Sequence, residues 1–218
     1  MDFARVLVSA GGTREPWDEV RFLGNRSTGR QGCEIARAAQ DLGAAVTLVA
    51  ANVETALVPS GVSVVEVETA DEMLTAMLQA AREADLIVQS AAVADFRPIR
   101  VSGKITRHSD TIPALELERT PDVLATLLSR RQAGQVIVGF GALTGSVDEV
   151  KTQGSLKAKA KGVDLLAVNQ VGDGLGFGTQ TNTLYFFDDR GEIIGEASGT
   201  KYEVGKVLLH LAGKIARN

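Results

Sequence analysis

The chain holds a single cysteine, Cys33, and two histidines, His108 and His210. One cysteine excludes a disulfide framework and a cysteine-built metal cluster, and the isolated histidines lack metal-ligand spacing. Cys33 falls on a helical pattern, where a packed thiol is the ordinary outcome. His210 reads as a surface residue of the last helix. Aromatic residues make up only 5% of the 218 positions, and the apolar runs are of strand length, far below the ~20 residues of a membrane span. No one-signed field is present either. The balance of 27 acidic against 23 basic residues leaves a net charge of −4, which offers nucleic acid or an anionic membrane no basic surface. The first residues enter a strand without the charged, apolar and small-residue pattern of an export signal. A reducing, cytoplasmic setting is therefore expected.

What the chain does have is strand-length apolar runs alternating with helical patterns. Arg5–Val8 reads as a strand, and 29–42 as a helix with Ile35, Ala36, Ala39 and Leu42 on one face. Ser27 or Thr28 is its candidate cap and Gly43 its end. Strands follow at 45–50 and 62–67, then a helix capped by Asp71 and running to Arg82, then a strand at 85–90. The loop-like 96–113 segment carries Lys104, Arg107 and His108, and 115–118 alternates like a half-exposed strand. Thr120 as cap and Pro121 at the first helical position open the next helix. A buried strand at 136–141, a helix at 148–161 weakened by Gly154, and a strand at 164–169 complete the core. A glycine-rich loop (172–181), a hairpin (183–188 with 192–196) and a helix (201–216) follow. The alternation predicts an α/β fold with a mostly parallel sheet covered by helices on both faces. One domain over 1–218 is expected, with 96–119 and the 183–196 hairpin as β excursions from it.

Ligands of such sheets sit beyond the carboxyl ends of the strands. Gly11-Gly12-Thr13, Gln89-Ser90-Ala91 with Asp95, Gly139-Phe140-Gly141 and Asn169 all fall there. Glycines admit a ligand close to backbone N–H groups, and the helix start near Ser27 favours an anion. The glycine spacing does not match a dinucleotide fingerprint, and Ala50-Ala51-Asn52 offers no carboxylate to a ribose. Tyr202 and Lys206 have the spacing used by short-chain reductases but sit on the last amphipathic helix, so nicotinamide redox chemistry fits poorly. Lys157 and Lys161 lie one helical turn apart and can reach one polyanion. A solvated, dipole-stabilised helix end is the plainer alternative for them.

Several segments in register match a family. Gly11-Gly12-Thr13-Arg14-Glu15-Pro16, Val20-Arg21-Phe22 with Asn25-Arg26-Ser27-Thr28-Gly29, and Ala91-Ala92-Val93-Ala94-Asp95-Phe96-Arg97-Pro98 resemble phosphopantothenoylcysteine synthetase. This is the synthetase half of the bacterial bifunctional protein of coenzyme A biosynthesis. Lys104-Ile105, Thr120-Pro121-Asp122, Gly139-Phe140, Lys157 to Asp164 and Ala167-Val168-Asn169 follow in the same order. The resemblance implies a Rossmann-like fold and the CTP-dependent ligation of 4′-phosphopantothenate and L-cysteine. The products would be 4′-phosphopantothenoylcysteine, CMP and pyrophosphate, formed through an acyl-cytidylate. It implies Mg2+ or Mn2+ as the accompanying ion and a homodimer whose partner subunit helps cover the substrate site, with 115–118 and the hairpin as candidate contacts. It also implies a fused or associated flavin-dependent phosphopantothenoylcysteine decarboxylase.

Carried over by motif, Gln89, Ser90, Ala91 and Asp95 hold the cytidine end. Lys104 reaches the phosphates. Arg119, Thr120, Pro121, Asp122 and Phe140 line the nucleotide pocket, and Lys157 and Lys161 meet the triphosphate. Asn25 binds the acyl-cytidylate with Arg21 as the nearby cation, and Gly11, Gly12 and Thr13 form the loop at the acyl-phosphate junction. Three features depart from the family. Thr106-Arg107 replaces a lysine-rich pattern, Gly141-Ala142-Leu143-Thr144 replaces an alanine–glutamate–threonine run, and the sequence does not include the decarboxylase half often fused upstream, so either a stand-alone synthetase or an excised domain is expected. A non-catalytic nucleotide-binding module is the alternative reading.

Overall fold

A computed structural model describes residues 3–106, 114–172, 174, 176 and 178–217. Strand β1 (Arg5–Gly11) leads into a small antiparallel pair, β2 (Arg14–Pro16) and β3 (Phe22–Gly24), and then to helix α1 (Arg30–Asp41). Strands β4 (Ala45–Ala51) and β5 (Ser63–Val67) are joined by a link containing one 3-10 turn. Helix α2 (Ala70–Ala81) returns the chain to β6 (Leu86–Gln89). A second small pair, β7 (Phe96–Pro98) and β8 (Leu117–Arg119), precedes α3 (Val123–Ser129) and β9 (Val136–Leu143). Helix α4 (Val147–Lys161), β10 (Leu165–Gln170), β11 (Thr181–Phe187), β12 (Ile193–Thr200) and α5 (Lys201–Ile215) end the chain.

Eight strands form one sheet in the order β12-β11-β10-β9-β6-β1-β4-β5. Strands β1, β4, β5, β6, β9 and β10 are parallel, while β11 and β12 run antiparallel to their neighbours. Strand alternation divides the core. Val6, Val8 and Val88 face α1 and α5, whereas Leu7, Val49, Ile87 and Ile137 face α2, α3 and α4. The order reverses between β1 and β6, which makes their carboxyl ends the switch point of a Rossmann-like sheet.

Several local expectations change. The 181–200 hairpin is no excursion: β11 pairs with β10 (Leu166↔Phe187, Val168↔Tyr185), so it extends the main sheet. Residues 96–98 and 117–119 do leave it, as the β7–β8 pair. Helix α2 is capped by Thr69 in a capping box with Glu72, so Asp71 lies in its first turn. Asp122 caps α3 in place of Thr120, and Pro121 precedes the helix. Helix α1 begins at Gly29 with no side-chain cap. Strand β5 is an edge strand, with Val64 and Val65 each 40% exposed. Gly154 does not interrupt α4. A Cβ there would stand 2.7 Å from the Phe187 ring, so the glycine is what lets α4 seat on β11.

Candidate active site

The switch point is built from short chain segments whose backbone groups satisfy one another. Gly12 N–H donates to Ala51 O (3.0 Å), Thr13 N–H to Ala92 O (3.2 Å), and Ala92 N–H to Gly11 O (2.9 Å). Beneath them, Ser9 Oγ accepts from Ala91 N–H (3.0 Å), and Ser90 Oγ donates to Ser9 O (2.5 Å). Thr13, fully buried, accepts from Ala94 N–H at 2.9 Å. Gly11 has φ +91, and a Cβ on it would lie 1.8 Å from Ala51 O. At Gly12 a Cβ would lie 3.0 Å from the carbonyl oxygen of Asn25. Gly11 thus lets β1 pass against the end of β4, and Gly12 lets Asn25 close on the corner, where its Nδ2 donates to Ala92 O at 3.0 Å. Asn52, at φ 53, adds a bond from Nδ2 to Gly12 O.

From this corner the candidate residues continue as an arc. Asp95 O accepts from Thr120 N–H (3.2 Å), and Thr120 Oγ1 donates to Ala94 O. Asp122 caps α3 through Ala125 N–H and accepts from Lys161 Nζ at 2.7 Å. Burial opposes ionisation of Asp122, but the cap and the Lys161 ammonium win and hold its carboxyl below the usual range. Lys157 lies one turn closer to the carboxyl edge. Its Nζ stands 3.7 Å from where a Cβ on Gly141 would be. The two lysines thus share a face, but Lys161 already has an anionic partner. Arg119 stacks its guanidinium 5.7 Å from the Phe96 ring. Phe140 is on the α1 side of the sheet and lines a cavity of about 120 Å³ with Ser27, Gly29, Ser90, Asn169 and Asn182. A larger cavity, about 910 Å³, is at the opposite end of β1 and β4 under α2 and contains none of these residues.

Arg21 and Lys104 are joined through a residue that sequence reasoning passed over. Asp18 Oδ2 accepts from Arg21 Nη1 (2.5 Å) and from Ile105 N–H (3.0 Å), next to Lys104. Lys104 itself is exposed. Although burial pushes the Asp18 carboxyl up, three backbone N–H donors and the Arg21 guanidinium hold it well below the carboxylate range. Its only sequence signal is its place three residues before Arg21, which is common in any turn. Gln89 is buried, and its Oε1 has no hydrogen-bond partner among the described residues. Arg107 and His108 lie outside the described residues.

The groups set aside from the sequence have structural roles. Cys33 is buried, and that burial pushes its thiol up to about 11. Tyr202 OH donates to Asp41 on α1, a bond between α5 and α1, and Lys206 stands over the Tyr202 ring within α5. His210 is exposed. Among the described residues no three His, Cys, Asp or Glu side chains converge as a metal cage, and no helix is long and apolar enough to cross a membrane.

Residues 1–215 match the family model described as the DNA/pantothenate metabolism flavoprotein C-terminal domain. The coenzyme A biosynthesis bifunctional protein CoaBC of Mycobacterium tuberculosis is 45% identical over 185 residues, covering 82% of this chain and 44% of that protein. Its Bacillus subtilis counterpart is 37% identical over 186 residues, covering 84% and 45%. The chain thus spans about half the length of these relatives. The crystal structure of the C-terminal domain of a CoaBC superposes with a TM-score of 0.78 at 34% identity, covering 100% of this chain and 99% of that one. A Cab2 mutant solved with phosphopantothenate-cysteine has the same fold, with a TM-score of 0.76 at 15% identity over 98% and 87% of the two chains. With the switch-point corner, the strand order and the family match in agreement, the chain belongs to the family of the DNA/pantothenate metabolism flavoprotein C-terminal domain, the phosphopantothenoylcysteine synthetase half of such bifunctional proteins.

Proposed function

We propose that this chain joins 4′-phosphopantothenate to L-cysteine at the expense of CTP, as a step of coenzyme A biosynthesis. The observation that carries this reading is the convergence of Asn25, Gly12 and Ala92 on one corner. Arg21, four residues before Asn25, bonds to Ile105 O next to Lys104, and Asp95, three residues after Ala92, accepts from Thr120 N–H. In the first step a carboxylate oxygen attacks the α-phosphorus of CTP. The bond to pyrophosphate breaks, and an acyl-cytidylate is left. Two anions meet at that step, so positioning and charge neutralisation matter more than a protein nucleophile. Lys104 supplies charge at the phosphates, and Lys157 and Lys161 at the triphosphate. In the second step the cysteine amine attacks the acyl carbon, CMP departs, and the amine proton passes to solvent.

Asn25 suits the intermediate. Its Nδ2 uses one hydrogen on Ala92 O, leaving a second hydrogen and Oδ1 for the acyl-cytidylate. Arg21 is the adjacent cation, and Gly11, Gly12 and Thr13 line the junction. Gln89, Ser90, Ala91 and Asp95 hold the cytidine, with Arg119, Thr120, Pro121, Asp122 and Phe140 around it. The unpartnered Gln89 Oε1 supports that assignment, because a buried acceptor without a donor is costly until a ligand supplies one. With no protein cage among the described residues, Mg2+ or Mn2+ would be held by the nucleotide's phosphates, the usual manner for Mg2+.

A second copy of the chain is the proposed partner. Val20, Phe22, Ile99, Leu115 and Leu117, on and beside the two small β pairs, are 48–61% exposed. Such a cluster is more than scattered surface apolarity. The flavin-dependent decarboxylase is the proposed fused or associated half, and the cytoplasm the proposed compartment. Pyrophosphate release that requires both CTP and phosphopantothenate, and amide product once cysteine is added, test the reading. Competition among CTP, ATP and UTP tests the nucleotide. CTP-dependent thermal stabilisation without pyrophosphate release would sink the ligase and leave the binding module.

A further inference from the structure

We propose that Asp18 is a positioning residue which holds the Lys104 segment and the Arg21 turn in one fixed relation. The proposal rests on the functional reading above for the roles of Lys104 and Arg21. The geometry beneath it is independent of that reading. Lys104 is bracketed by bonds to a single short turn. Val101 N–H donates to Trp17 O (2.8 Å), Gly103 N–H to Glu19 Oε1 (3.3 Å), and Ile105 N–H to Asp18 Oδ2 (3.0 Å). Arg21 Nη1 returns a bond to Ile105 O at 3.1 Å. Among the side chains making these bonds, only Asp18 is shielded from water. Its side chain is 0% exposed, against 45% for Arg21 and 48% for Glu19.

The same carboxylate also shapes the turn. Its Oδ1 accepts from Val20 N–H (2.8 Å) and Arg21 N–H (2.6 Å), and Trp17 N–H closes the turn onto Arg21 O at 2.8 Å. Phe22 then opens β3, whose pairing of Gly24 with Arg14 leads into Asn25 at the corner. One buried group therefore ties the backbone beside Lys104 to the turn that leads into Asn25. Charge-assisted, desolvated bonds of this type are the strong ones, whereas the exposed bonds around them compete with water.

The test separates turn from tether. Asp18→Ser keeps a hydroxyl able to accept from the Val20 or Arg21 N–H but is too short to reach Ile105. Asp18→Asn keeps the length but loses one acceptor, and both variants are made in the full chain. Hydrogen exchange is expected to show Ile105 and its neighbours losing protection while β1 and β6 keep theirs. The kcat of CTP-dependent pyrophosphate release is expected to fall by about tenfold or more, with KM for CTP within about threefold of wild type, because misplacement acts on the transition state. Glu19→Ala, which removes an exposed bond to Gly103 N–H and a long exposed ion pair with Arg100, is expected to change kcat less than about twofold.

Retained protection at Ile105 in Asp18→Ser would overturn the proposal. So would lost protection with an unchanged kcat. Uniform deprotection of the core together with a raised KM would reduce Asp18 to a general structural role and overturn it as well. If Asp18→Asn does not fold, Asp18→Ser carries the test. Wild-type protein that releases no pyrophosphate would overturn the functional reading, and with it the role assigned to Asp18 in the reaction. The exchange pattern would still decide the tether.

Discussion

The corner at the ends of β1 and β6 and the segment around Lys104 belong to one candidate site, yet they are held by different means. The corner is held mainly by backbone: Gly12, Thr13 and Ala92 exchange bonds with Ala51, Ala92 and Gly11, and glycine is required where chains touch. The Lys104 segment has no place in the main sheet. It is bonded to the turn at residues 17–21, where the Asp18 carboxylate is the buried side chain, and the Lys104 side chain stays exposed. The difference follows from what each part does in the proposed reaction. A junction that must not move is made from groups every residue carries. A charge that must reach a ligand is carried on a flexible side chain whose root alone is fixed.

The sharpest way to break the corner is Gly11→Ala. The added Cβ meets the Ala51 carbonyl at 1.8 Å, and φ is +91. A loss of about 3 kcal/mol or more is expected, read as a fall in Tm of roughly 10 °C or as lost soluble protein. The opposite result belongs to Lys104→Ala, where Tm is expected to stay within about 2 °C while kcat for pyrophosphate release falls ~100-fold. Equal effects of the two variants on Tm would erase the distinction between the regions.

Phe22→Glu tests whether the surface beside the Lys104 segment is completed by another copy. Phe22 is 53% exposed, with Arg14 over its ring at 4.7 Å. The monomer is expected to remain folded by circular dichroism, while light scattering shows a lower mass than wild type. A wild-type protein already monomeric at micromolar concentration would remove the proposed dimer.

The smallest effect is expected at Glu15, which sits between corner and α2. Its carboxylate is buried and accepts from Ala70 N–H at 2.9 Å. Burial pushes its pKa up, against the lowering effect of that bond. The native state therefore keeps the proton to higher pH than the unfolded chain does. Stability from this group is present below the unfolded carboxylate value and declines as pH rises through the raised native one. Glu15→Gln keeps an acceptor and is expected to flatten that decline, raising Tm at pH 7 by about 1–3 °C relative to wild type. A lower Tm at pH 7 would show that the ionised cap outweighs its desolvation.

Much of this architecture was legible in the chain because it rests on local rules. Unbroken apolar runs such as Val136–Val138 and Leu165–Val168 announce parallel core strands, and Gly11-Gly12 announces a tight turn at a strand end. Helix caps were less legible. Asp71 and Thr120 are both acceptable cap residues, and only the entry angle of the chain selects Thr69 and Asp122 instead. The β2–β3 pair is not legible in the sequence, since strands of three residues carry too little pattern to count.

By itself, the sequence determined the α/β alternation, the packed fate of Cys33, and the order of motifs that marks the family. These depend on composition and on spacing along the chain. Tertiary structure alone decided that β11 and β12 join the main sheet, that Gly154 is a seat for Phe187, and that Lys161 meets Asp122. It also decided that Asp18 holds a segment 87 positions away. Contacts of that kind depend on which groups the fold excludes from water together, and no periodicity along the chain records it.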